Sequence, residues 1–117
     1  MTELRRIEAG ARMSEAVIHG GKVYTSGIVA DATIGKSVFE QTKEVLEQID
    51  ELLKTAGTDK TRIIKANIWL TNMAHFAQMN QAWDAWVVAG KAPARATVES
   101  KLAAPGYDVE IMIEAAL

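Results

Sequence analysis

Between Ser37 and Leu70 the apolar period changes once, and that change constrains the fold more than any other feature of the chain. Val38, Phe39, Val45, Leu46, Ile49, Leu52, Leu53 and Ala56 recur at intervals of three and four, which gathers them on one stripe of a helix over residues 37–56. Ser37 and Glu40 stand at capping-box spacing, where a serine oxygen and a glutamate three positions on satisfy orphan amides at a helix start. Gly57 follows the last periodic residue, the place of a left-handed closing turn. From Thr61 to Leu70 the period drops to two: Ile64, Ala66, Ile68 and Leu70 face one way, Ile63, Lys65, Asn67 and Trp69 the other. A striped helix followed by a strand with two unequal faces requires a helix packed on a sheet.

The flanking segments extend this unit. Ala16–His19 and Lys22–Ser26 are β-prone runs joined by Gly20-Gly21, which predicts a hairpin. Residues 27–36 show no sustained period and read as loop or short irregular strand. A second helix is expected from Thr71 or Asn72, with Phe76, Met79, Trp83, Trp86 and Val87 at helical spacing, and ends before Gly90. Pro93 stops any helix, and Arg95–Leu102 then alternates as a strand. After a turn over Ala103–Asp108, Val109–Ala116 forms the last strand, with Glu110, Met112 and Glu114 on one of its faces. The sum is an α+β domain with two helices on one face of a sheet. Ile63, Trp69 and Met112 fall on the face that no helix covers, which predicts a second subunit there.

With 117 residues the chain is expected to be a single domain spanning 1–117. A net charge of −2 leaves no basic field to attract phosphates, which argues against a nucleic-acid partner. The absence of cysteine removes disulfides and thiolate nucleophiles. No apolar run approaches the roughly 20 residues of a membrane span, and the opening Met-Thr-Glu-Leu-Arg-Arg-Ile-Glu lacks the apolar core of a signal peptide. A cytoplasmic protein without membrane contact is expected.

Chemistry is confined to a few side chains. There is no phosphate-binding glycine loop, nucleophile elbow or H-E-x-x-H motif. His19 and His75 lack ligands at metal spacing, so no metal site is expected. Arg95, just after a proline-fixed turn at a strand start, can present a bidentate fork to a carboxylate or phosphate. The alternative is a salt bridge with Glu99, two positions on along the same face. Glu110 and Glu114 share a face of the last strand, as solvated charges or as groups in a cleft.

Taken together, Val23-Tyr24-Thr25-Ser26-Gly27, Gln41-Thr42, Val45-Leu46, Ala56-Gly57, Leu70-Thr71-Asn72-Met73, Phe76, Met79-Asn80, Pro93-Ala94-Arg95-Ala96-Thr97-Val98 and Val109-Glu110-Ile111 resemble, in order, the reactive intermediate deaminase (RidA) family. The resemblance covers nearly the whole chain. It implies a chorismate-mutase-like α+β fold and a homotrimer, with the sheets joined into a central barrel and a cleft at each subunit boundary. It also implies a role in metabolite damage control: hydrolysis of a reactive enamine or imine, such as a 2-iminoacid, to the 2-oxoacid and ammonia, without metal or organic cofactor. Arg95 matches the arginine that pairs with the substrate carboxylate, and Glu110 the glutamate that positions water. Glu114 is a rival four positions later, but Glu110 has the family spacing from Arg95. Ser26, Gly27 and Thr97 match pocket-lining positions, and Asn80 an asparagine of the second helix that reaches the site. Met13, in Arg12-Met13-Ser14-Glu15-Ala16-Val17, stands where well-studied members have a tyrosine within Pro-Tyr-Ser-Gln-Ala-Val. A thioether for a phenol predicts either a different substrate or weak deaminase activity. The competing expectation is a non-catalytic protein of the same fold that binds a 2-oxoacid-like ligand.

Overall fold

The computed structural model describes residues 3–117. Its elements run β1 (Arg5–Ala9), β2 (Ser14–His19), β3 (Lys22–Thr25), α1 (Val38–Ala56), β4 (Ile63–Leu70), α2 (Phe76–Trp86), β5 (Ala94–Glu99) and β6 (Val109–Ala116), with short 3-10 turns before β4 and α2. The six strands form one mixed sheet in the order β1-β2-β3-β6-β4-β5. All neighbours are antiparallel except β4 and β5, which α2 joins as a parallel pair. This bears out the α+β architecture with two helices.

α1 obeys its sequence signals at both ends. The Ser37 hydroxyl accepts from the Glu40 amide at 3.1 Å, and Gly57 closes the helix at φ 93° with its amide on the Leu53 and Lys54 carbonyls. Its stripe of Val45, Leu46, Ile49 and Leu53 meets Val23, Ile68, Val109, Ile111 and Ile113 in one core. α2 adds Met79 and Trp83 to that core. Its Trp86 ring nitrogen donates to Asp50 of α1 at 3.0 Å, so the two helices are tied by a polar bond as well as by packing.

One strand is added to the expected elements and three local expectations are corrected. β1 lies outside the anticipated hairpin: the Gly10 amide bonds the Met13 carbonyl and turns Arg5–Ala9 back onto β2. In β4 a register irregularity between Ile63 and Lys65 inverts the start of the strand, burying Ile63 and exposing Ile64, so Ile63 does not join the open face. The second helix proper begins at Phe76, because Asn72 caps a 3-10 turn over Met73–His75 instead. β5 stops at Glu99 rather than Leu102, since β4 offers its last ladder position at Leu70.

The sheet face away from the helices carries Tyr24, Met112 and Val98, all exposed, and Trp69, partly exposed, beside Lys65, Asn67 and Glu114. No helix among the described residues is long and apolar enough to cross a membrane.

Candidate functional site

Strand register fixes where the two main candidates point. Arg95 pairs with Ala66, which is fully buried under the helices, whereas Glu110 pairs with Trp69, three positions along β4. An odd separation along a strand means opposite faces. Arg95 therefore looks toward α2, and Glu110 toward the open face.

The residues around Glu110 form one group. Met13, Glu15, Gly27, Glu44, Tyr107 and Glu110 line a cavity of about 870 Å³ together with neighbouring residues of the loop after β3 and of α1. Gly27 is required there by contact: a Cβ on it would lie 2.8 Å from the Glu110 carboxyl carbon and nearer still to one of its oxygens. Ser26 is adjacent, its hydroxyl oxygen buried and without a partner among the described residues. Met13 is half exposed on the cavity wall. Burial holds the Glu110 carboxyl above the usual carboxylate range, because leaving water penalises the charged form. Glu114, its rival, sits four residues along β6 in an ion pair with Lys22 at 3.5 Å and does not line the cavity.

Two loops that frame this cavity are fastened by residues the sequence reading gave no role. Gln41, fully buried, donates to the Lys36 and Gly106 carbonyls at 3.0 and 2.9 Å and accepts from the Asp108 amide at 2.9 Å. Glu44 accepts from the Ala32 and Thr33 amides at 3.2 and 2.8 Å. Tyr107 donates its phenol to Asp31, which raises the phenol's proton affinity. Its place on the cavity wall gives the pocket a phenol that the sequence, with Met13 at the tyrosine position, did not lead us to expect.

The second group lies on the other side of the sheet. The Arg95 guanidinium carbon stands over the Trp83 ring at 5.2 Å from its centroid and over Phe76 at 5.8 Å, with a nitrogen 4.0 Å from the Met79 sulfur. The anticipated alternative, a salt bridge with Glu99, is not formed, because the Glu99 carboxylate accepts from the Met73 amide at 2.9 Å. Thr97, next on the same face of β5, has its hydroxyl oxygen buried without a partner among the described residues. Asn80 is partly buried on α2, four residues after Phe76 and three before Trp83, on the helical stripe that meets Arg95. Thus Arg95 and Thr97, with Asn80 beside them, form one group, and Met13, Gly27 and Glu110, with Ser26 beside them, form another on the opposite side of the sheet. Phe76 and Trp83 went unassigned as functional residues, although their spacing with Asn80 was the available signal.

Such a fold is a small α+β domain with a mixed six-stranded sheet and two helices, in which Arg95 and Glu110 point to opposite faces. The family model described as endoribonuclease L-PSP matches residues 3–117. A RutC family protein of Haemophilus influenzae is 49% identical over 110 residues, covering 94% of this chain and 95% of its own. A crystal structure of a YjgF family member from Neisseria meningitidis superposes with a TM-score of 0.95 at 43% identity, covering 98% of this chain and 95% of that one. The rat 2-iminobutanoate/2-iminopropanoate deaminase is 30% identical over 103 residues, covering 84% of this chain and 74% of its own. The chain belongs to this family, the YjgF/RidA family, as its motifs suggested.

Proposed function

We propose that the chain is a hydrolytic deaminase of reactive enamines and imines, converting a 2-iminoacid to its 2-oxoacid and ammonia. The observation that carries the reading is Glu110: a desolvated carboxylate on a cavity wall, close against Gly27, with no hydrogen-bond donor among the described residues. In this reading Arg95 pairs with the substrate carboxylate through its in-plane donors, with the Thr97 hydroxyl and Asn80 beside it. Water attacks the electrophilic C=N carbon while Glu110 takes its proton. Glu110 passes that proton to the nitrogen, giving the carbinolamine, and then takes the hydroxyl proton and delivers it to the nitrogen as the C–N bond breaks, so both water protons leave with ammonia and the C=O forms. Water, imine and the two products balance without redox chemistry, and the reaction calls for neither metal nor organic cofactor. The printed name of the rat relative supports this substrate class.

Because Arg95 and Glu110 face opposite ways, the complete site takes one half from each of two subunits. The partly apolar open face, with Tyr24, Val98 and Met112, suits the interior of a trimeric barrel. A cytoplasmic setting, where 2-iminoacids arise, belongs to the same reading. The net charge of −2 and the carboxylates of Glu15, Glu44 and Glu110 around the cavity argue against RNA as substrate.

The test is to generate a 2-iminoacid in situ and follow its loss with and without the protein. Acceleration over buffer that disappears in Arg95→Ala is expected. No acceleration across several side chains, or full activity in that variant, rejects the reading. Saturable 2-oxoacid binding without turnover would support the non-catalytic binding protein, the reading that Met13 on the cavity wall favours.

A further inference from the structure

Arg95 is a partly buried cation whose neighbours are unusual. Among the described residues no carboxylate lies within 4.0 Å of it and none of its nitrogens donates to an oxygen; its recorded polar contact is with the Met79 sulfur at 4.0 Å. A cation drawn out of water is ordinarily paired or well hydrogen-bonded. Here the compensation comes from Trp83 and Phe76, whose rings lie beneath the guanidinium at 5.2 and 5.8 Å. An aromatic face attracts a cation through its quadrupole and takes up no N–H donor. A carboxylate in the same place would have held the side chain equally well but would have neutralised its charge and occupied the fork. Glu99, the nearest candidate in sequence, is instead committed to the Met73 amide at 2.9 Å.

We propose that Trp83 and Phe76 are positioning residues: an aromatic cradle that fixes Arg95 while leaving its donors free, so that the site accepts ligands bearing a planar carboxylate. The inference rests on the reading of Arg95 as the carboxylate anchor. The two rings divide the task. Trp83 is nearly buried in the core and sets the cradle's depth, whereas Phe76, 37% exposed at the first turn of α2, closes it toward solvent. Lysine would gain less from this cradle, since an ammonium has no planar fork to align.

The experiment measures 2-oxobutanoate binding calorimetrically and KM and kcat for an in situ 2-iminoacid, using the full chain. Phe76→Leu and Trp83→Leu should each weaken 2-oxobutanoate binding and raise KM by about 3- to 10-fold, with kcat held within about two-fold. Trp83→Phe should restore wild-type binding to within about two-fold, because it returns a ring to the cradle. The decisive readout is the double variant: if Phe76 acts through the guanidinium, Phe76→Leu adds no further loss in an Arg95→Ala background. An equal loss in both backgrounds, no loss in the wild-type background, or a fall confined to kcat overturns the cradle. Phe76 is largely outside the core, so its variants decide the matter even where Trp83→Leu fails to fold. If Arg95→Ala itself leaves 2-oxobutanoate binding intact, the anchor reading fails; if it weakens binding while Phe76→Leu does not, the cradle alone fails.

Discussion

Glu110 owes its raised proton affinity to partial burial: the backbone of Gly27 and the cavity wall take the place of water, and no donor among the described residues compensates the charge. The sign of the consequence is definite. A carboxyl whose folded value lies above its unfolded one favours the protonated fold, so the fold loses stability as pH rises through that raised value and the penalty is complete above it. On the proposed mechanism activity runs the other way, because Glu110 must be ionised to accept a proton from water. The ascending limb of kcat/KM against pH is therefore expected above the ordinary glutamate value near 4.3. Glu110→Gln should abolish that limb and lower kcat by roughly 10²- to 10⁴-fold. The same variant should be more stable than wild type near neutral pH, the gain vanishing on acidification. A retained limb would assign it to another group. The sequence disclosed Glu110 and Arg95 as residue types in the right setting, but not their surroundings. Glu99 shares a face with Arg95 and is the natural partner on spacing alone, yet its carboxylate accepts from the Met73 amide. Nothing within β5 announces that the rings of α2 will replace it.

Gln41 adds a side-chain tie to the Gly35–Gly106 backbone bond between the loops before α1 and before β6. Its amide bonds the Lys36 carbonyl before α1, the Gly106 carbonyl before β6 and the Asp108 amide two residues before Glu110. Gln41→Ala would remove the partner of the partly buried Asp108 amide and one bond each to the Lys36 and Gly106 carbonyls, the latter keeping the Gly35 amide, and a loss of about 1–3 kcal/mol is expected in urea unfolding. A change below about 1 kcal/mol would show that water replaces the side chain at little cost. At this scale the sequence was informative where periodicity and caps agree, as at Ser37 and Gly57, and silent where pairing alone creates the element. β1 buries only Ile7 of its five residues, so no alternation marks it, and β2 makes it a strand. The irregularity between Ile63 and Lys65 swaps two neighbouring isoleucines between faces. A strict period of two cannot show that, because either isoleucine satisfies the apolar face. The role of Gln41 was equally hidden, since a glutamine on a helical stripe reads as polar surface until the loops around it are placed.

A single subunit contains both charged groups of the proposed site but aims them apart, Arg95 beneath α2 and Glu110 at the opposite face of the sheet. Inserting loops or moving a rotamer does not bring two sheet faces together. A second subunit docked across the partly apolar face does, and a closed ring of identical contacts then builds as many sites as subunits. The sequence suggested such a partner through Trp69 and Met112, but it could not say that the two half-sites diverge, because this depends on the parallel pairing of β5 beside β4. Subunit mixing follows directly. Arg95→Ala and Glu110→Gln homomers should each be nearly inactive, since every site in them lacks one group. When the two variants are unfolded together at equal concentration and refolded, random assortment places an intact Arg95 against an intact Glu110 at about one site in four. Imine hydrolysis should thus recover to roughly a quarter of the wild-type rate, and refolding the variants separately before mixing should recover little. If instead each site were built within one subunit, co-refolding would restore nothing, because no single chain in the mixture carries both residues.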